Sequence, residues 1–102
     1  MENKTDTIYI HRILGGDTGA FAYLVEKYQD MVYTLAYKIL GNKEDAEDAA
    51  QEAFVKCYRA LKNYIGHASF STWLYKITYN HALDLLKKNT GKRHIIEWKS
   101  EL

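Results

Sequence analysis

"DTGAFAYLVEKYQDMVYTLAYKILG", Asp17 to Gly41, decides the fold class through its period. Phe21, Leu24, Val25, Tyr28, Val32, Leu35, Ala36 and Ile39 recur at steps of three and four residues, the face of a long amphipathic helix and not the alternation of a strand. Asp17 is expected to cap this helix, and Gly41 to stop it. The start, "GGDTGA" (Gly15 to Ala20), resembles a phosphate-cradling glycine loop. Such a loop follows a strand and carries a Lys-Ser or Lys-Thr pair, and neither feature is present. The stretch is therefore read as a cap and turn.

On the N-terminal side, Thr5 to Leu14 reads as a short helix ended by Gly15 and Gly16. On the C-terminal side, Asn42 is expected to cap a third helix by accepting from a free amide near Asp45. Its buried stripe would be Ala46, Ala49, Ala50, Ala53, Phe54, Cys57, Leu61 and Tyr64, and the small alanines imply close approach of a neighbouring helix. Gly66 interrupts the pattern, Ser69 restarts it, and a fourth helix runs to about Lys88, with Thr90 and Gly91 ending it. There is no proline, no sustained alternation, no internal repeat and no low-complexity tract. The expected class is all-α, a compact bundle of three long helices plus a short N-terminal helix. Residues 1–91 would form the domain, and the charged stretch 92–102 a tail or the start of a linker.

Length and composition agree with one domain. The chain has 102 residues, 47% of them apolar and 26% charged, as in soluble globular proteins. The longest uncharged apolar run, Ala20 to Val25, is too short to span a bilayer, and no secretion leader opens the sequence. Cys57 is alone, which suits a reducing, cytoplasmic setting. His11, His67, His81 and His94 lack metal-ligand spacing, and no nucleophile motif surrounds any serine, cysteine or histidine. Neither a metal, a cofactor, a small-molecule substrate nor an enzyme is indicated. Net charge is only +1, which argues against a nucleic-acid partner until its distribution is considered. Acids concentrate between Asp45 and Glu52, while Lys76 to Lys99 is mainly basic, so two faces of opposite sign are expected.

Two stretches carry the functional signal. In "NKEDAEDAAQEAF" (Asn42 to Phe54), Asp45, Asp48 and Glu52 form one acidic row with Gln51 beside it. Complementing the helix dipole accounts for Glu44 and Asp45 but poorly for Glu52, since that effect fades within the first turn. An acidic ledge for a basic partner is the alternative. In "NYIGHASFSTWLYK" (Asn63 to Lys76), Phe70, Trp73, Leu74 and Ile77 follow core spacing. Yet Trp73 sits just after a glycine loop with Lys76 and Asn80 on nearby faces and Lys87 two turns beyond Asn80. Ring, cation and amide along one edge suit unpaired bases: the ring stacks, the cation meets phosphate, and the amide reads a base edge. Core packing and base contact both remain open for Trp73 here.

Taken together, "GDTGAFAYLVEKYQDMVYTLAYKILGN", "EDAEDAAQEAFVKCYRAL" and "SFSTWLYKITYNHALDLLKK" closely resemble region 2 of the extracytoplasmic-function (ECF) sigma factors, over about residues 6 to 90. The resemblance implies that Asp45, Asp48, Gln51 and Glu52 dock on the clamp helices of the RNA polymerase β′ subunit. It implies that Lys56, Ala60, Tyr64, the loop Gly66, His67, Ala68, Ser69 and Phe70, and then Ile77 and Asn80 recognise and melt the promoter −10 element. A non-template base would be flipped into a pocket of that loop. Trp73 matches the family aromatic at the strand-opening edge. Relatives of this kind are commonly held by anti-sigma factors, a further implied partner.

Departures from the pattern are specific. Ile65 stands where many relatives have a basic residue, and His67 where an acidic or small polar one is usual. Lys87 and Lys88 replace arginines, keeping charge but losing the bidentate fork. The second helical domain of the family, region 4, has no counterpart in these residues, so a fragment of a longer chain is expected.

Overall fold

The computed structural model describes residues 4–64 and 68–89. Four helices are present: α1 (Lys4–Leu14), α2 (Phe21–Leu40), α3 (Lys43–Ala60) and α4 (Phe70–Asn89). Single 3-10 turns at Thr18–Ala20 and Leu61–Asn63 precede α2 and follow α3. The described residues contain no strand, and the all-α expectation holds.

The breaks have local causes. Gly41 takes φ +80°, a left-handed conformation that costs glycine little, and its N–H donates to the Tyr37 carbonyl at 2.8 Å. Asn42 then caps α3 as expected: its Oδ1 accepts from the Asp45 amide at 2.9 Å, and its Nδ2 donates to Asp45 Oδ2 at 2.8 Å. Ser69 begins α4 in the same manner, accepting from the Thr72 amide at 3.3 Å. Thr90 and Gly91, the expected stop of α4, and the tail 92–102 lie outside the described residues.

Asp17 does not cap α2. The chain makes one 3-10 turn first, so α2 begins at Phe21, and Asp17 makes no side-chain capping bond. Its Oδ2 instead accepts from Arg12 Nη2 at 2.8 Å and Nε at 3.1 Å. A guanidinium on the last turn of α1 offers a charge-assisted fork that competes successfully with a lone amide. The pair is half exposed, so its contribution to stability is small.

α2 is the centre of the bundle and packs on both α3 and α4, which also touch each other, while α1 lies against the start of α2. The core has two parts. At the α2–α3 junction end, Ala36, Ala46 and Ala49 are buried beneath Tyr33, Leu40 and Leu85. There the small side chains bring three helix backbones together, as the alanine stripe implied. The larger part gathers Ile10 and Ile13 of α1, Leu24 and Val32 of α2, Ala53 and Cys57 of α3, Leu61, and Phe70 and Leu74 of α4. Burying a Leu or Phe side chain fully contributes roughly 1.5–3 kcal/mol, so this part dominates the hydrophobic term. Burial pushes the Cys57 thiol up to about 12, which keeps it protonated and inert at neutral pH. Thr78 is the buried hydroxyl of α4, and it donates back to the Leu74 carbonyl at 2.9 Å.

Candidate functional site

The acidic row of α3 is not one uniform ledge. Asp45 is committed to the Asn42 cap and approaches Asn89 Nδ2 at 3.5 Å, so it leans toward the end of α4. Glu52 is half-buried on the α4 side, close enough to His81 to act on its charge. Asp48 and Gln51 are exposed and line a shallow groove of about 670 Å³ between α2 and α3, with Gln29, Asp30, Tyr33 and Phe54. Of the four residues expected to meet a basic partner, these two stand free.

An apolar extension of that groove was not legible in the sequence. Phe54 also lines a second depression of about 600 Å³, with Phe21, Val55, Tyr58 and Arg59. The Phe21 ring meets Tyr58 edge-on at 5.1 Å and Phe54 at 6.4 Å. Val55 and Tyr58 remain 39% and 41% exposed. Acidic groups beside uncovered aromatic surface suit a protein partner better than water alone. The missed signal was the spacing of Phe54 and Tyr58, four apart on the flank of the buried stripe.

The second surface surrounds the start of α4. Tyr64 closes the end of α3 onto it: its hydroxyl donates to the Ala68 carbonyl at 2.5 Å, across residues 65–67. Its ring packs on Trp73 (centroids 5.0 Å apart) and edge-on to Phe70 (6.1 Å). Trp73 is half-buried and rests on Phe70 at 6.0 Å, so it braces this corner. Ala68 and Ser69 are half-buried beside it. Phe70 requires a correction, because its side chain is 2% exposed and forms core, so the ring itself does not face a nucleic acid. Its ring instead packs against those of Tyr64 and Trp73. Gly66 and His67, with Ile65, lie outside the described residues.

Along α4, Lys76, Asn80 and Lys87 are exposed at steps of four and seven from one another, and Ile77 is half-buried against the core. On α3, Lys56 is exposed and Ala60 half-buried. Trp73, Lys76, Asn80 and Lys87 therefore form one stripe of ring, cation, amide and cation.

His81 of α4 lies within reach of the charges of Lys56 and Glu52 on α3. Burial, and next the charge of Lys56, hold its pKa below 6.5, against the opposing pull of Glu52 and Asp84. A histidine whose folded pKa is lowered is kept neutral by the fold, so the unfolded chain binds more protons as pH falls below 6.5. Stability is thus expected to decline as pH drops from 6.5 through the lowered value, and His81→Gln should flatten that part of the profile. Urea melts at pH 7.5 and 5.5 on both proteins read this out, and equal slopes would refute it.

Among the described residues no group of three or more His, Cys, Asp or Glu side chains is placed to hold a metal ion. No described helix is long and apolar enough to cross a membrane.

Residues 24–92 match the model of the Sigma-70 region 2 family. The chain belongs to this family. It is 43% identical over 79 residues to the ECF RNA polymerase sigma factor SigW of Bacillus subtilis, covering 78% of this chain and 42% of that one. It is 41% identical over 85 residues to the ECF RNA polymerase sigma-E factor of Escherichia coli K12, covering 83% and 44%. The chain thus spans less than half the length of these relatives. Its fold is similar to the NMR structure of an engineered region 2 of sigmaE in complex with GTAAAA, with a TM-score of 0.79 and 38% identity over 93% of this chain and 99% of that one. Region 2 of an ECF sigma factor is therefore the identity of the bundle, and the resemblance drawn from its three motifs was correct.

Proposed function

We propose that this region 2 reads and opens the promoter −10 element for RNA polymerase, binding the non-template strand at the Tyr64–Asn80 corner. The observation that carries the reading is the stripe of half-buried Trp73 and exposed Lys76, Asn80 and Lys87, beside a corner braced by Tyr64, in a bundle similar to one seen with a hexanucleotide. Lys56 and Ala60 of α3, with Ala68 and Ser69 before α4, complete the proposed contact set. Melting removes stacking worth a few kcal/mol per extruded base, and contacts on the protein replace it. The role is binding without catalysis, in keeping with sigma factors as non-enzymatic initiation factors.

Asp48 and Gln51, with the aromatic groove along α2 and α3, form the polymerase-facing side in this proposal, directed to the β′ clamp helices. Asp45 and Glu52 contribute more to the shape and charge of that edge than as free ligands, since one caps α3 and the other lies beside His81. Because net charge is only +1, few phosphates are neutralised, so polymerase supplies most of the affinity for DNA. Working with polymerase, the protein would act in the bacterial cytoplasm. A second reading, an anti-sigma factor bound to the domain, is favoured by the uncovered Phe21, Val55 and Tyr58 groove and would compete with polymerase for it.

The test is a chemical-shift titration of the ¹⁵N-labelled chain with single-stranded hexanucleotides at low salt. Shifts are expected at Ala68, Trp73 and Asn80. Asn80→Ala should weaken binding about tenfold, in keeping with about 1–3 kcal/mol for an amide reading a base edge. Equal affinity for wild type, Asn80→Ala and Lys76→Ala would refute the assignment.

A further inference from the structure

Asp6 belongs to α1, before the residues matched by the family, and no part of the base-capture reading uses it. It is nevertheless among the most deeply buried side chains of the protein, 2% exposed. Its Oδ1 accepts from Lys27 Nζ at 2.8 Å, and its Oδ2 accepts a short hydrogen bond from the Tyr28 hydroxyl. A buried carboxylate is stable only with such partners, and charge-assisted bonds hold direction firmly. Tyr28 therefore has its hydroxyl tied to α1 while its ring lies on Phe70, with centroids 5.6 Å apart and planes at 53°. Phe70 in turn supports Tyr64 and Trp73, and Tyr64 holds the Ala68 carbonyl. A continuous set of contacts thus runs from α1 to the corner where α4 begins.

We propose that Asp6 and Tyr28 are positioning residues for base capture: α1, through the Asp6–Tyr28 hydrogen bond, fixes the ring that sets the Phe70, Tyr64 and Trp73 corner. This inference rests on the base-capture reading above. It assigns α1 a role beyond covering the core. The Tyr28 hydroxyl is the link, because a phenylalanine keeps the ring packing yet releases it from α1. Cores of interlocked rings do not deform smoothly, so a small change in tilt at Tyr28 is passed to Phe70.

The experiment compares Tyr28→Phe, Asp6→Asn and the double variant in this chain. Two readouts are used: the resonances of the Trp73 indole and Ala68 amide, and titration with GTAAAA and with a randomised hexanucleotide pool. Each single variant is expected to move both resonances and to weaken oligonucleotide binding about fivefold, and the double variant to be no weaker than either, because both act through one bond. Ile10→Val, which trims the α1 core contact without touching this bond, should lower the melting temperature and leave affinity unchanged. Unmoved resonances with wild-type binding in Tyr28→Phe would overturn the proposal, as would an equal affinity loss in Ile10→Val. If Asn80→Ala reduces binding while Asp6→Asn and Tyr28→Phe do not, the positioning role alone fails. If the wild-type chain binds neither oligonucleotide at low salt and high oligonucleotide concentration, nor when loaded with core polymerase, base capture fails and the positioning role with it.

Discussion

Phe70→Ala is expected to destabilise the domain by about 3–5 kcal/mol, the cost of emptying a large aromatic site in a close-packed core. The ring is 2% exposed and touches Tyr28 from α2, Tyr64 after α3 and Trp73 on its own helix. Two of these neighbours cannot collapse into the space without giving up another contact, because Tyr28 is tied by Asp6 and Tyr64 by Ala68. Domains of this size have roughly 5–15 kcal/mol of stability in total, so the variant should sit near the edge of folding at 37 °C. Phe70→Leu refills much of the volume and should retain most of the stability. Urea denaturation of both variants measures this. A loss below about 1 kcal/mol for Phe70→Ala would mean that the ring is not the keystone of this corner.

Phe70 also shows what the sequence could and could not disclose. Its helical spacing with Leu74 and Ile77 correctly marked a core position, whereas its place in a family motif suggested contact with DNA. A motif records which residues are needed together, without separating the side chain that touches a ligand from the one that supports it. Trp73 was open between these roles, and the structure shows the supporting one: it is half-buried and rests on Phe70 and Tyr64. The breaks were legible wherever the cause was local. Gly41 and Asn42 act on backbone groups within four residues, so the α2–α3 junction fell where expected. Asp17 was misjudged because its partner, Arg12, is on the preceding helix and captured it from the cap.

Asp6 was beyond reach for the same reason at longer range. Its partners Lys27 and Tyr28 stand 21 and 22 positions away, and only the packing of α1 on α2 brings the three together. Periodicity identifies the apolar face of a helix but is silent about a polar group that belongs inside. The hydroxyl of Tyr28 is held protonated by that burial, first, and by Asp6, with its pKa pushed up to about 12. It therefore donates throughout the physiological range, and the link between α1 and the corner does not switch with ordinary changes of pH.

The second large effect is expected at the side proposed to face polymerase. Asp48→Lys combined with Gln51→Ala should reduce capture of core RNA polymerase at least about tenfold, since like charges set against each other across an interface cost several kcal/mol. Both residues are exposed and outside the core, so folding should change by no more than about 0.5 kcal/mol, and melting curves confirm that separately. Asp84→Lys on α4 is the matched control, because it adds the same charge on another surface and should leave capture intact. Electrostatic contact at an exposed edge is screened beyond about 8 Å at 0.15 M salt, so the difference between variant and wild type should narrow as salt rises. The aromatic groove beside Asp48 predicts that some capture survives at high salt in both proteins, carried by Phe21, Val55 and Tyr58. Undiminished capture by the Asp48 and Gln51 variant at low salt would move the docking site off this face of α3.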